Sequence, residues 1–268
     1  MYYAGLDIGA IHTKAALMKN HTVIGVKVVP TGVFPQKAAK RALTATLEKQ
    51  GLKFNALRGI YTTGYNRRVA TFGTKAITEI AAFARGALFL VPDARSVIDI
   101  GGQGIRIIAL DEFGHVSDFK TNDKCSAGTG CFLDVMKTAL DAANLGELDQ
   151  LALDASAPEK INCTCTVFAE SEVVSLVARG KTKESIISGL VQSMASKVAR
   201  MALSLGMKEE VVLAGGVARN RSVQAALEEE LAIPLTVPKN PHLVGAIGAA
   251  LDAYEDGRNQ RKIKRKFK

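Results

Sequence analysis

The stretch Leu6-Asp7-Ile8-Gly9 near the start of the chain returns as Ile98-Asp99-Ile100-Gly101, at an offset of 92 residues. At the same offset Lys14 matches Arg106, so each copy has an aspartate, a glycine turn and then a basic residue. Alternating and continuous apolar runs around each copy predict three consecutive strands. The predicted strands are 2–8, 13–18 and 23–29 in the first copy and 96–100, 105–110 and 115–121 in the second.

The rest of the chain completes two related strand–strand–strand–helix units. Helical spacing of apolar residues, ended by glycine or proline, predicts most of the other elements. Helices are predicted at 35–50, 74–90, 129–142, 167–179, 182–205, 221–231 and 242–254, with short strands at 60–63, 211–213 and 235–237. We therefore predict an α/β protein with a first half formed by 1–92 plus 242–257, a second half formed by 93–241, and a tail at 258–268.

The repeated turns are suited to phosphate. Glycine allows positive φ and lets backbone N–H groups approach a phosphate, and an aspartate at a strand end can hold Mg²⁺ through water. Either turn alone could be an ordinary hairpin, but the repeated pair favours phosphate binding. A third glycine turn, Gly215-Gly216, follows an apolar strand and leads into a helix, which also permits close approach of a ligand. It is not a Walker A loop, because no Gly-Lys-Ser/Thr sequence ends it.

Composition excludes several classes of protein. Of the 268 residues, 47% are hydrophobic, which supports a full core, and no run of about 18 apolar residues predicts a membrane span. The N-terminus lacks the layout of a signal peptide, so we expect a cytoplasmic protein whose four cysteines are not structural disulfides. Seven basic residues within 258–268 supply most of the net charge of +9. We expect this tail to be frayed and solvated, with an acidic partner as the alternative and nucleic acid unlikely to bind.

These motifs resemble the actin/Hsp70/sugar-kinase superfamily, whose two phosphate motifs, adenosine motif and two connecting helices match 4–17, 96–110, 211–220, 129–142 and 243–254. The resemblance implies two ribonuclease-H-like halves around a nucleotide cleft, with ATP/ADP and Mg²⁺ as cofactors. It implies the following site residues: Asp7, Asp99 and Gln103 as catalytic groups, and Gly9, Thr13, Lys14, Gly101, Gly102, Gly128, Thr129, Gly130, Gly215, Gly216 and Asn220 as nucleotide-binding groups.

Two cysteines stand just before predicted helices, Cys125 in Asn-Asp-Lys-Cys-Ser-Ala-Gly-Thr-Gly and Cys165 in Cys-Thr-Val-Phe-Ala-Glu-Ser-Glu-Val. A thiolate at a helix start is favoured by the dipole and the free N–H groups. Two cysteines per chain cannot complete a four-thiolate cluster, but a two-fold dimer supplies the other two.

Both segments closely resemble the ATP-dependent activators of 2-hydroxyacyl-CoA dehydratases and the related ATPase subunits of benzoyl-CoA reductase. The resemblance to this family covers nearly the whole chain. The resemblance implies a homodimer with one [4Fe–4S] cluster held by Cys125 and Cys165. It also implies an oxygen-sensitive system in which ATP drives one electron from a ferredoxin or flavodoxin to a partner iron–sulfur enzyme.

The sequence departs from that family in three places. Gly104 stands where the family commonly has aspartate, the first turn reads Gly-Ala-Ile-His-Thr-Lys instead of being rich in hydroxyl groups, and Cys131 and Cys163 are extra. The extra thiols permit a rival site, one Zn²⁺ on Cys125, Cys131, Cys163 and Cys165, although C-x5-C and C-x-C are unusual spacings for zinc. Free buried thiols are another alternative.

Three functions stay open at this stage. The leading hypothesis is an ATPase that gates electron transfer. A small-molecule kinase of the same fold would need a catalytic carboxylate such as Asp99 or Glu170, and 268 residues leave little room for substrate-binding insertions. The third is an ATP-operated binding or assembly protein without redox chemistry.

Overall fold

The chain divides into two compact units in a computed structural model that describes residues 1–122, 125–161 and 165–266, with side chains through 259. The first unit is Met1–Asp93 with Leu243–Lys268, and the second is Ala94–His242. These boundaries fall one residue from those expected. Residues 258–266 belong to the first unit.

The first unit is built on a five-stranded sheet in the order β3-β2-β1-β4-β5. Strands β1, β2 and β3 are antiparallel neighbours, while β4 runs parallel to β1. Buried residues alternate along β2: Ala15 and Leu17 pack with helix α1, and Ala16 and Met18 pack with helix α8. The sheet is thus covered on both faces. Its elements are β1 (Tyr2–Ile8), β2 (His12–Lys19), β3 (Thr22–Pro30), α1 (Pro35–Glu48), β4 (Leu57–Thr63), β5 (Lys75–Ala76), α2 (Glu79–Leu90) and α8 (Val244–Lys266).

The second unit repeats this design. Its sheet has the order β8-β7-β6-β9, and Thr236 adds a parallel bridge beside Val212 of β9, where the first unit has β5. Residue Asp99 pairs with Arg106 across β6 and β7 as Asp7 pairs with Lys14 across β1 and β2. The repeat predicted from the offset of 92 residues is therefore confirmed in register. The strands are β6 (Ser96–Ile100), β7 (Ile105–Leu110), β8 (Val116–Asn122) and β9 (Val211–Ala214).

Five helices of the described part of the second unit share the larger core with its sheet. The longest, α6, buries apolar side chains along its whole length, including Ile187, Met194 and Val198, against strand residues such as Ile105 and Ile107. The helices are α3 (Gly130–Ala139), α4 (Leu145–Leu153), α5 (Thr166–Ala178), α6 (Lys183–Leu203) and α7 (Arg221–Leu231). Helix α4 was not predicted; Asn144 caps it by accepting hydrogen bonds from the next N–H groups.

Two other sequence predictions were wrong. The helix expected at 74–90 begins only at Glu79, because Thr78 is its N-cap and accepts a 3.2 Å hydrogen bond from the N–H of Ala81. The preceding Lys75–Ala76 forms an edge strand beside β4 instead. The frayed tail is also not observed, since α8 continues to Lys266. Residues 258–266 contain no proline or glycine and are mostly Arg, Lys and Gln, which favour helix.

No helix within the described residues is long and apolar enough to cross a membrane.

Candidate functional site

The first phosphate-like turn follows β1 in the first unit. Asp7 lies near the end of that strand and is buried, and its Oδ2 accepts a 2.8 Å hydrogen bond from Lys14 Nζ. The turn is closed by the N–H of Gly9, which donates to the carbonyl of His12 over 3.2 Å. A buried carboxylate is therefore held with its neutralising cation beside a glycine turn.

Thr13 stabilises this turn through hydrogen bonds. Its side chain is fully buried, and its hydroxyl lies 2.9 Å from the hydroxyl of Thr31. Thr31 in turn donates to the carbonyl of Gly9 over 2.9 Å. The sequence predicts that Thr13 contacts the nucleotide; in the structure its hydroxyl bonds to Thr31, which in turn holds the carbonyl of Gly9.

The second turn reproduces the first, with arginine in place of lysine. Asp99 is fully buried, and its Oδ2 accepts a 2.6 Å hydrogen bond from Nη1 of Arg106. The N–H of Gly101 donates to the carbonyl of Gly104 over 2.8 Å. A Cβ atom at position 104 would lie 3.4 Å from Nη2 of Arg106. The residue that departs from the family pattern therefore lies directly beside the guanidinium.

Two glycines with positive φ enclose the carboxylates. Gly64 has a φ of +94°, and a Cβ there would lie 2.6 Å from Oδ1 of Asp7. Gly215 has a φ of +91°, and a Cβ there would lie 2.5 Å from Oδ1 of Asp99. Each glycine directly follows the strand that runs parallel to the aspartate's own strand. Neither position has room for any other side chain, so the carboxylate sits in a corner between two strand ends.

The start of helix α3 docks on the second turn. The N–H groups of Gly130 and Cys131 donate to the carbonyls of Gly101 and Gly102 over 2.9 and 2.8 Å. Burial raises the pKa of the Cys131 thiol, which also forms a hydrogen bond with the exposed Gln103. The predicted residues of this turn and of the α3 start therefore form one assembly.

The remaining predicted residues extend that assembly. Thr129 is buried and donates to the carbonyl of Ser126 over 2.7 Å, and Gly128 has a φ of +92°. After β9, Gly216 leads into a short 3₁₀ turn, and Asn220 stands at the start of α7 without capping it through its side chain. The second unit thus brings together ten of the predicted site residues, Asp99, Gly101, Gly102, Gln103, Gly128, Thr129, Gly130, Gly215, Gly216 and Asn220. The first unit holds Asp7, Gly9, Thr13 and Lys14.

The two cysteine segments are joined by a hydrogen bond. The hydroxyls of Ser126 and Thr166 lie 2.9 Å apart, and each belongs to the residue that follows a cysteine, Cys125 or Cys165. Neither of these two thiols is in a disulfide, and both are partly exposed. Residues 40 apart in sequence are in this way held side by side.

The predicted position at a helix start is confirmed for Cys165 and is wrong for Cys125. Cys165 is the N-cap of α5, as expected for a thiolate that gains from a helix dipole. Cys125 is not at a helix start, because α3 begins five residues later and its first N–H groups are already bonded to the second turn. Instead, Lys197 of α6 donates a hydrogen bond to Cys125, with its Nζ 3.6 Å from the Sγ.

The donor set of Cys125 and Cys165 fits a cluster shared by two chains, since each chain would supply two thiolates. Within residues 1–122, 125–161 and 165–266, no three Cys, His, Asp or Glu side chains gather as a possible metal site. Cys131 is engaged with Gln103, and Cys163 lies outside the described residues. Two partly exposed thiols held in neighbouring segments are what one half of an interface site requires.

Comparison with known proteins places the chain in a family. A family model described as the BadF/BadG/BcrA/BcrD ATPase family matches residues 4–253. The chain belongs to this ATPase family. This confirms the resemblance inferred from the glycine turns and the cysteine segments, and it confirms that the protein is an ATPase.

Individual relatives agree with the family. The chain is 42% identical over 258 residues to the activator of lactoyl-CoA dehydratase from Anaerotignum propionicum, covering 95% of this chain and 98% of the relative. It superimposes with a TM-score of 0.92 on the activator of 2-hydroxyisocaproyl-CoA dehydratase from Clostridium difficile with bound ADPNP. That pair is 36% identical and covers 98% and 97% of the two chains. The predicted class of function, an ATP-dependent activator of a partner enzyme, is therefore supported.

A more distant neighbour bears on the fold alone. A ROK family glucokinase from Streptomyces griseus in complex with glucose and AMPPNP matches with a TM-score of 0.60 at 13% identity, over 95% of this chain and 100% of that one. Together with the activator structure, this likeness confirms the predicted α/β fold class.

Sequence reasoning missed three residues of the site. Arg106 was noticed only as part of the repeat, yet it holds the buried Asp99. Gly64 could have been found because it follows a short apolar strand just as Gly215 does. Lys197 carries no local signal, because only the packing of α6 brings it to Cys125, 72 residues earlier.

Proposed function

We propose that the chain uses Mg-ATP to drive the transfer of one electron to a partner iron–sulfur dehydratase that acts on a 2-hydroxyacyl-CoA. Cys125 and Cys165 of two copies would together hold one [4Fe–4S] cluster. The observation that carries the proposal is the hydrogen bond between Ser126 and Thr166, which keeps the two cysteine segments together. When bound, such a cluster would accept an electron from a donor such as ferredoxin or flavodoxin and release it to the partner.

The nucleotide part of the proposal rests on the two carboxylate turns. Asp7 and Asp99 supply oxygen ligands of the kind that Mg²⁺ prefers, through water or directly. Lys14 and Arg106 offset their negative charge, with contacts of 2.8 and 2.6 Å. Glycine at both turns lets the backbone come close to a phosphate, since no Cβ stands in the way.

Support for a dimer comes from the surface of α5. This helix begins next to Cys165 and exposes large apolar side chains, including Phe168 at 70% and Val167 at 65% relative exposure. Exposed apolar residues concentrated on one element are typical of an interaction surface. A second copy placed against the start of α5 would bring its own two cysteines to the same point.

Serine variants test the cluster. Cys125→Ser and Cys165→Ser should each lose most of the iron and sulfide of anaerobically reconstituted protein, since each dimer would then lose two of its four thiolates. Cys131→Ser is the matched control and should keep its iron, because this thiol bonds to Gln103. Equal loss of iron in all three variants, or bound zinc in a monomer, would refute the assignment.

The same preparation separates the other functions. A brown protein that hydrolyses ATP and activates a dehydratase supports the proposal. A colourless protein that phosphorylates a small molecule would instead make it a kinase of this fold, and a colourless ATPase without an acceptor would indicate a binding or assembly protein.

A further inference from the structure

The ammonium group of Lys197 lies beside a proposed cluster ligand. Its Nζ donates a 2.9 Å hydrogen bond to the carbonyl of Ala127 and lies 3.6 Å from the Sγ of Cys125. Within residues 1–122, 125–161 and 165–259, no carboxylate forms an ion pair with this lysine. Its charge is therefore directed at the cysteine segment.

The side chain is held in place by its surroundings. It projects from the rigid helix α6, whose neighbouring Met194 and Val198 are fully buried. Its stem passes Gly128, where a Cβ atom would lie 3.8 Å from the Cδ of Lys197. Because packing already limits its rotamers, little entropy is lost in holding the ammonium near the sulfur.

Lys197 also places a positive charge beside Cys125, which the start of helix α3 does not. The dipole of α5 acts at Cys165, whereas the first N–H groups of α3 bond to Gly101 and Gly102 and do not reach Cys125. The two sulfur atoms thus have different neighbours, the start of a helix at Cys165 and a lysine at Cys125.

We infer that Lys197 is a positioning residue that raises the reduction potential of the cluster through Cys125. Reduction adds one negative charge to a thiolate-bound cluster, so a nearby fixed cation stabilises the reduced form more than the oxidised form. Hydrogen bonds to cluster sulfurs and local charge are recognised controls of cluster potential. Partial burial of the lysine limits screening by salt. The inference rests on the proposed function, because it presupposes a cluster on Cys125.

The test is a redox titration of the reconstituted dimer followed by electron paramagnetic resonance, with iron content measured on the same samples. Lys197→Met removes the charge at similar length, Lys197→Gln keeps a hydrogen-bond donor without charge, and Lys197→Arg keeps the charge. We expect a lower midpoint potential in both neutral variants, iron content near that of the wild type, and a potential near the wild type for Lys197→Arg.

A matched control is available on β8, beside the end of the same helix. Lys120 of β8 donates to the backbone and hydroxyl oxygens of Ser204, the C-cap of α6, so Lys120→Met removes an ammonium near the end of α6 without touching a cysteine. Its potential should equal that of the wild type.

The possible failures are distinguishable. A neutral variant with full iron and an unchanged potential overturns the inference and leaves the proposed function standing. Loss of iron in both neutral variants also overturns it, since the lysine would then serve cluster assembly. Wild-type protein that binds no iron after reconstitution overturns the proposed function and the inference together.

Discussion

Replacing Asp99 by asparagine separates the electrostatic role of the carboxylate from its role in folding. The change keeps the shape of the side chain and removes its charge. In the wild type this carboxylate is 1% exposed and bonds to Arg106, whose side chain is only 12% exposed. The variant therefore removes the charge of Asp99 from beside a nearly buried guanidinium.

The expected loss of stability follows from this burial. Breaking a buried ion pair on one side costs about 3–5 kcal/mol, and asparagine can still accept a hydrogen bond, so we expect about 3 kcal/mol. At about 2–4 °C per kcal/mol for a chain of this size, the Tm should fall by about 6–12 °C. The double variant Asp99→Asn with Arg106→Gln removes the stranded charge and should recover most of this loss.

Hydrolysis should respond differently. Metal stabilisation of the transferring phosphoryl group is worth several kcal/mol, and a loss of about 3 kcal/mol lowers the rate by about 100-fold. The single and double variants should both show this drop, because neither has the carboxylate. Asp118→Asn, an exposed aspartate on β8 in the same unit, is the control and should hydrolyse ATP at the wild-type rate.

The assay is steady-state ATP hydrolysis at several Mg²⁺ concentrations, below the Tm of each variant as measured by thermal unfolding. Unchanged hydrolysis by folded Asp99→Asn would refute the metal role. Recovery of hydrolysis in the double variant would also refute it, because the carboxylate would then be needed only to neutralise the guanidinium.

Two further predictions concern stability. Gly215→Ala should lower the Tm by at least about 4 °C, since a left-handed φ costs alanine about 1–2 kcal/mol and its Cβ would lie 2.5 Å from Asp99 Oδ1. The control Gly216→Ala, whose Cβ would have no atom within 4 Å, should change the Tm less. Equal shifts of the Tm in the two variants would contradict the reasoning. Tyr61→Phe should cost about 1.5–3 kcal/mol of unfolding free energy at pH 7, because the phenol donates a 2.6 Å hydrogen bond to the carboxylate of Asp256. Burial and this carboxylate raise the pKa of Tyr61 above its ordinary value of 10.0, so wild-type stability falls as pH rises past that value. Above that pH the unfolding free energies of the wild type and of Tyr61→Phe should therefore come closer together. A difference between them that stays constant with pH would contradict the raised pKa of Tyr61.

The strands, the repeat and the class of ligand could be predicted from the sequence because each has a local signature. Strand and helix periods act over a few residues, and the offset that matches Asp7 to Asp99 also matches Lys14 to Arg106. Antiparallel pairing across a short turn then fixes the register, so the two ion pairs follow almost directly from spacing. The ends of helices and strands were predicted less accurately. Because Thr78 is the N-cap of α2, this helix begins five residues later than predicted.

Contacts between distant segments were decided only by the tertiary structure. The first N–H groups of α3 were expected near Cys125, but in the packed structure they donate hydrogen bonds to the carbonyls of Gly101 and Gly102. The lysine that reaches Cys125 lies on the fourth turn of a helix with many polar positions, and nothing in its spacing distinguishes it from its neighbours. Such contacts depend on how whole helices pack against the sheet, which is a sum of many weak apolar contacts and leaves no short pattern in the sequence.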